Sequence, residues 1–122
     1  MFNALVMCYF TNIPPEMVVA LTNSACGLEW STNDFLLSGE RTWNLKRVIN
    51  NRFGLTRAND KLPKLFLKAY GEGGAAGFVP KIDDMLDVYY AVRSWNPITG
   101  YPTPDKLKQL DLDWVSRDIY PV

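Results

Sequence analysis

The sequence lacks histidine entirely and contains only two cysteines, Cys8 and Cys26. Histidine is the commonest general base and the commonest metal ligand in proteins, so its absence leaves Ser/His/Asp and Cys/His catalysis without their base. An iron–sulfur cluster usually needs four thiolates, and the two cysteines do not form a C-x-x-C pattern. The cysteines of this chain are therefore too few to hold such a cluster alone.

The sequence also has no excess of charge, because thirteen lysines and arginines balance thirteen aspartates and glutamates. No net field draws the chain towards nucleic acid or an anionic membrane surface. The apolar N-terminal stretch has no basic residue before it and is interrupted by Asn3, so it predicts neither a secretory signal nor a membrane span. We expect a cytoplasmic protein with reduced cysteines that binds neither nucleic acid nor membrane.

What the chain does have is the size and composition of one packed domain: 122 residues, of which 48% are hydrophobic. Pro15 is typical of the first position of a helix, and Gly27 is typical of a helix end. Ser31, followed by Asp34 three residues later, predicts the N-terminal cap of a long helix over residues 32–53.

Between residues 54 and 80 the helical pattern disappears, and a glycine-rich run predicts a long irregular crossing. Apolar residues spaced i, i+3, i+4, i+7 and i+10 then predict one face of a third helix that ends near Ser94. They are Ile82, Met85, Leu86, Tyr89 and Val92. Thr103 as an N-cap before Pro104 predicts a short fourth helix over residues 105–110. The predicted fold is all-α, a small irregular helical domain of about four helices with a long glycine-rich crossing loop.

Three sequence blocks carry more specific information than the helical period. The first block is Gly-Glu-Arg-Thr-Trp-Asn-Leu-Lys-Arg at residues 39–47, continuing through Asn50, Arg52 and Gly54. The second is Thr56-Arg57 followed by Asp60-Lys61-Leu62-Pro63. The third is Asp-Met-Leu-Asp-Val-Tyr-Tyr at residues 84–90, continuing with Arg93-Ser94-Trp95, Gly100 and Pro-Thr-Pro-Asp-Lys-Leu at residues 102–107.

These blocks resemble the C-terminal helical domain of the tungsten-containing aldehyde ferredoxin oxidoreductase family. The family patterns are G-E-R-x-x-N-L-E-R, R-x-D-D-x-L-P, and L-D-x-Y-Y-x-x-R-G-W followed by G-x-P-T-P-E-K-L. The blocks occur here in the family order, and the resemblance covers residues 1–112. It implies a C-terminal helical domain over residues 1–112 and a C-terminal tail over residues 113–122.

The resemblance also implies a cofactor segment near the N-terminus. The family has a D-x-x-G-L-C pattern whose acidic residue binds a pterin of the tungsten cofactor and whose cysteine ligates a [4Fe-4S] cluster. Here Asn3 stands in place of the acidic residue, Val6 in place of the glycine, Met7 in place of the leucine, and Cys8 is the cluster cysteine. Asn3 and Met7 are the implied cofactor-binding residues, and Cys8 is the implied metal ligand. Cys26 is expected to pack in the core.

The function implied by the resemblance is that of a C-terminal fragment of a tungstopterin (molybdopterin-type) and iron–sulfur oxidoreductase. Such an enzyme oxidises aldehydes to carboxylic acids with ferredoxin as electron acceptor. Its remaining domains would be the partners of this chain, and the isolated chain is expected to have neither bound cofactor nor activity. An apolar patch near residues 1–10 is expected to be exposed and to allow self-association.

Two alternatives remain open at this point. The chain is a stand-alone, non-catalytic helical interaction module, or it is the same domain from a tungsten-dependent aromatic acyl-thioester reductase. A C-x-x-C-x-x-x-C motif in frame upstream of Met1 would favour an excised enzyme domain over the module.

Two further residue groups have a structural and a functional interpretation. Six aromatic residues could stack on a planar cofactor, but we expect them to be core and interface anchors. They are Trp30, Trp43, Trp95 and Trp114, with Tyr89 and Tyr90. The arginines of the first two blocks are expected to form ion pairs on helix surfaces or to dock a neighbouring domain, rather than to bind nucleic acid. They are Arg41, Arg47, Arg52 and Arg57.

Overall fold

The structure, a computed structural model, describes residues 5–8, 10 and 12–120. It has five α-helices in this part of the chain. They are α1 (Pro15–Cys26), α2 (Thr32–Arg52), α3 (Ile82–Arg93), α4 (Pro104–Gln109) and α5 (Asp113–Ile119). The crossing between α2 and α3 contains two short 3-10 turns, Arg57–Asn59 and Lys64–Leu67, and the described residues include no strand longer than an isolated bridge. The all-α prediction is confirmed.

The helix ends follow the local capping signals of the sequence. At the start of α2, the Asp34 backbone N–H donates to Ser31 Oγ at 3.2 Å, and the Ser31 N–H donates to Asp34 Oδ2 at 2.9 Å. Gly27 ends α1 with φ +65°, a conformation that glycine adopts without a steric penalty. Thr103 Oγ1 accepts from the Lys106 N–H at 3.2 Å and caps α4.

The larger hydrophobic core joins α2, α4 and α5. Its buried members are Val48, Leu107, Leu110, Leu112, Val115 and Ile119. The sequence predicts about four helices and a tail after residue 112, whereas the structure adds α5 within that tail. Seven residues with only two buried apolar positions, Val115 and Ile119, give too short a pattern for a helical period to be recognised.

A second cluster packs α1 against the start of α2. Val18, Val19 and Phe35 are buried, and Met7 and Ile13 pack against them. Cys26 is exposed, so the prediction that it packs in the core is wrong. The residues of α1 that pack in this cluster are Val18 and Val19, which lie in its first half, and Cys26 is the last residue of the helix.

The apolar face that the sequence predicts on α3 exists, but the structure buries it unevenly. Leu86 and Tyr89 are half-buried, whereas Met85 is 58% and Val92 is 75% exposed. The fully buried residue of α3 is Tyr90. α3 is therefore attached to the domain through one edge and leaves apolar side chains on its outer side.

No helix among the described residues is long and apolar enough to cross a membrane.

Candidate functional site

The N-terminal segment is fixed to the domain immediately before the cysteine that the sequence singles out. Met7 is half-buried and packs against the cluster of Val18, Val19 and Phe35. The next residue, Cys8, is exposed. Asn3 lies outside the described residues. The segment therefore combines an apolar anchor at Met7 with a thiol at the surface.

Val6 takes a left-handed backbone conformation, with φ +57°. This is the position where the family pattern has glycine, the residue that adopts positive φ without a penalty. A valine in this conformation is strained, at a cost of about 1–2 kcal/mol. The backbone turn before Cys8 is therefore the kind of turn that the family glycine permits, although the residue here is β-branched.

The described residues contain no group of three or more histidine, cysteine, aspartate or glutamate side chains that could hold a metal ion. Cys8 provides one exposed thiol, and a four-thiolate cluster needs three further donors. The donors among the described residues therefore fit one ligand of such a cluster and are too few to hold it.

A second site lies between α2 and α3, where Arg47 forms a planar double contact with Asp60. Arg47 Nη1 is 2.9 Å from Asp60 Oδ1, and Nη2 is 2.8 Å from Oδ2. The Arg47 side chain is 9% exposed and that of Asp60 is 28% exposed. Because the guanidinium matches the carboxylate with two parallel hydrogen bonds, this is the strong, geometrically defined form of the ion pair.

Arg47 also ties this pair to the loop after α3. Its Nε donates to the Gly100 carbonyl at 2.7 Å. Gly100 has φ +74°, and a side chain there would collide with the Arg47 guanidinium, so both the backbone conformation and the space favour glycine. The guanidinium carbon of Arg47 lies 4.8 Å from the ring centre of Trp95, within the range of a cation–π contact.

Tyr90 and Arg57 complete the polar network. The Tyr90 hydroxyl donates to Asp60 Oδ2 and accepts from Arg47 Nη2 at 3.3 Å. Arg57 lies over the Tyr90 ring at 4.9 Å and pairs with Asp87 of α3 at 2.7 Å. We call Arg47, Arg57, Asp60, Asp87 and Tyr90 the arginine network.

The protonation states of the arginine network follow from these contacts. Burial alone would raise the pKa of Asp60, but hydrogen bonds from Arg47 and Tyr90 and the charges of Arg47 and Arg57 lower it below its ordinary value. Burial, followed by the hydrogen bond to Asp60, raises the pKa of Tyr90 to about 12. At neutral pH Asp60 is an ionised carboxylate and Tyr90 a neutral phenol. These shifts move the pKa of each group away from neutral pH, where a general acid or base works best, and the buried contacts of the network favour a structural role.

Asn44 extends the same contacts into the core. It is fully buried, its Oδ1 accepts from Trp95 Nε1 at 2.8 Å, and its Nδ2 donates to the Glu40 carbonyl at 2.9 Å. Trp95 therefore has both its face and its nitrogen occupied by residues of α2. The expectation of core anchors agrees with the burial of Trp95 and Tyr90, whereas Trp30, Trp43 and Trp114 are 39%, 42% and 63% exposed and lie outside the core.

A cavity of about 480 Å³ opens beside the arginine network, between α2 and α3. Its walls are mainly aromatic and aliphatic, with the Arg47–Asp60 pair among the lining groups. The lining residues are Trp43, Lys46, Arg47, Asn50, Asp60, Leu86, Tyr89, Tyr90 and Trp95. Trp43 Nε1 donates to the Tyr89 hydroxyl at 2.6 Å and joins the two walls.

The cavity and the burial of Arg47 are the features that the sequence does not predict. Arg47 is expected on a helix surface, but it is buried. One feature of the sequence could have pointed to this network: Arg47, Asp60 and Tyr90 each belong to a different one of the three sequence blocks. Sequence blocks alone do not say that their members meet in space.

Comparisons with known proteins agree with the resemblance seen in the sequence. A family model described as aldehyde ferredoxin oxidoreductase, domains 2 & 3, matches residues 1–112. The tungsten-containing aldehyde ferredoxin oxidoreductase of Pyrococcus horikoshii is 37% identical over 111 residues, covering 88% of this chain and 18% of that protein. The protein of the same name from Pyrococcus abyssi is 35% identical over 117 residues, covering 93% of this chain and 19% of that protein. The chain thus spans less than a fifth of the length of these relatives.

Proposed function

Because the chain belongs to the aldehyde ferredoxin oxidoreductase family, we propose that it is the C-terminal part of a tungstopterin and iron–sulfur oxidoreductase that oxidises aldehydes to carboxylic acids. Ferredoxin is the electron acceptor in this proposal. The observation that carries it is the match over residues 1–112, supported by the names of the relatives, which are tungsten-containing aldehyde ferredoxin oxidoreductases.

The structure supports the proposal through the residues that carry the resemblance. Arg47, Asp60 and Tyr90 come from three separate blocks and form one buried network. Residues that hold the domain together are expected to persist in a family even when they do no chemistry. In this proposal the network supports the fold, and the residues that contact the cofactors lie in the N-terminal segment.

In that segment we propose that Cys8 provides one thiolate to a [4Fe-4S] cluster and that Asn3 and Met7 contact the tungstopterin. When bound, the tungstopterin carries the oxidation of the aldehyde, and the cluster carries the electrons onward to ferredoxin. The exposure of Cys8 suits ligation of a group held mainly by other polypeptide. The packing of Met7 holds the segment in place, and the left-handed turn at Val6 leads the backbone into it. A reducing compartment suits this role, since it keeps the Cys8 sulfur out of a disulfide and so available as the thiolate that binds iron.

The proposal predicts that this chain can replace the corresponding part of a relative. We expect a chimera, in which the chain replaces the matched segment of the Pyrococcus horikoshii enzyme, to bind tungsten and to reduce ferredoxin with an aldehyde as electron donor. The isolated chain, assayed in parallel, should bind no tungsten and show no activity. Tungsten content by elemental analysis and anaerobic ferredoxin reduction are the measurements. A soluble, folded chimera without tungsten would contradict the proposal and favour the non-catalytic interaction module.

A further inference from the structure

The outer face of α3 is apolar and exposed. Met85, Val88 and Val92 are 58%, 66% and 75% exposed. Their spacing of i, i+3 and i+7 places them in one stripe along the helix. Single exposed apolar residues are normal, but an aligned stripe on one helix is typical of a contact surface.

This stripe continues into the cavity between α2 and α3. At 3.6 residues per turn, Tyr89 lies beside Met85 on the helix surface, and Tyr89 forms a wall of the cavity. The opposite wall includes Trp43 of α2, which is 42% exposed. We call Trp43, Met85, Val88, Tyr89 and Val92 the α3 surface.

The packing of α3 leaves this surface open. The closest helix packing among the described residues joins α1 with α2, α2 with α5, and α4 with α5, and α3 takes no part in it. α3 is held instead by Tyr90 and Asp87 of the arginine network. The described residues include no element that covers the apolar stripe on the outer side of this amphipathic helix.

Two charged residues beside the stripe already have partners within the domain. Asp87 is paired with Arg57 at 2.7 Å, and Arg93 lies over the Tyr89 ring at 5.4 Å. These two charges are already engaged within the domain, and the stripe itself consists of apolar side chains. Burial of the stripe residues would stabilise such a contact by removing their remaining exposed apolar surface from water.

We propose that the α3 surface is the docking surface for the rest of the same enzyme, contacted by an apolar segment whose side chains pack along the stripe and over the hydrogen-bonded pair of Trp43 and Tyr89. This inference rests on the proposed function, because its occupant is the additional polypeptide that the relatives possess. The chain covers 18% of the Pyrococcus horikoshii relative, and the match over residues 1–112 includes α3 completely. The surface is distinct from the N-terminal segment, so it provides a second contact between this domain and the remainder.

Cysteine labelling tests the proposal in the isolated chain and in the chimera. Val92→Cys, in a Cys26→Ser background, should react readily with a maleimide in the isolated chain. In the chimera the same residue should react at least about tenfold more slowly, because modification then requires local opening of the interface. Ile98→Cys is the matched control, since Ile98 is an 83% exposed aliphatic residue outside the α3 surface, and it should react at similar rates in both proteins. Mass spectrometry identifies the modified residue.

The outcomes separate this inference from the proposed function. Protection of Val92→Cys in a chimera without tungsten would support the docking surface while contradicting the proposed function. Equal labelling of Val92→Cys in the isolated chain and in an active chimera would overturn the docking surface alone.

A second variant tests the docking surface if the chimera with Val92→Cys does not fold. Val88→Lys should leave the melting temperature of the isolated chain unchanged, because Val88 is exposed there, but should lower the yield of soluble chimera. An unchanged yield would overturn the inference. Sedimentation of the isolated chain provides a further check, since a dimer that Val88→Lys disperses would show that a second copy occupies the surface, which would also overturn it.

Discussion

Replacing Arg47 with alanine is expected to lower the free energy of unfolding of the domain by about 3–5 kcal/mol, the range for breaking a buried ion pair by removing one partner. The variant leaves Asp60 without its double hydrogen bond and the Gly100 carbonyl without its donor. It also removes the cation over the Trp95 ring. Denaturant unfolding followed by tryptophan fluorescence measures the change.

Arg52→Ala is the matched control for this substitution, because Arg52 is on the same helix and pairs with Asp118 at 3.2 Å. Both side chains of that pair are largely exposed, at 69% and 44%, so the expected loss is at most about 1 kcal/mol. Arg47→Lys keeps the charge without the planar double contact and should be intermediate. Equal effects of Arg47→Ala and Arg52→Ala would contradict the assignment of Arg47 as the centre of the network.

The pH dependence provides a second readout of the same pair. The folded pKa of Asp60 is below its ordinary value, so the pair stabilises the fold above the unfolded pKa of aspartate, about 3.9. This contribution is lost as the pH falls through the lower, folded pKa. The difference in stability between the wild-type chain and Arg47→Ala should therefore shrink in strongly acidic solution and stay constant near neutral pH.

Ending the chain after Leu112 is expected to unfold most of the larger core. Truncation removes the buried side chains of Val115 and Ile119, which together contribute about 3–6 kcal/mol by area burial. It also uncovers Val48 and Leu110 and removes the hydrogen bond from the Tyr120 hydroxyl to the Pro102 carbonyl at 2.8 Å. Because small domains have only about 5–15 kcal/mol of net stability, a loss of this size removes much or all of it.

Trp114→Ala is the control for the truncation, because Trp114 lies in α5 but is 63% exposed. It should shift the melting temperature only slightly. Circular dichroism and thermal melting compare the two variants. A truncated chain that melts at the wild-type temperature would contradict the role of α5 in the core. The result bears on the boundary of the domain, since the family match ends at residue 112 and α5 begins immediately after it.

The parts of the fold that follow from the sequence are those determined by neighbouring residues. Ser31 and Asp34 fix the start of α2, and Thr103 fixes the start of α4, because a cap needs only residues within one turn. The predicted ends of these helices agree with the structure to within one residue. The sequence does not predict α5, because Val115 and Ile119 are buried only by packing against residues of α2 and α4.

In the candidate site, too, only the residues of a short continuous segment could be predicted from the sequence. Cys8 and Met7 could be selected from the resemblance alone, since the family pattern is a short continuous segment. The arginine network could not, because Arg47 meets Gly100 across 53 positions and Tyr90 across 43 positions of sequence. The apolar stripe of α3 illustrates a third case, in which the sequence predicts the period correctly and the structure leaves the stripe exposed among the described residues.

The central claim is that Cys8 provides one ligand to a cluster that other polypeptide completes. The most direct measurement is the iron content of the chimera with Cys8→Ser, compared with Cys26→Ser, which removes the other exposed cysteine. We predict that Cys8→Ser loses the iron of the cluster together with its visible absorbance, and that Cys26→Ser keeps both. A Cys8→Ser chimera that retains the full iron content would contradict the claim.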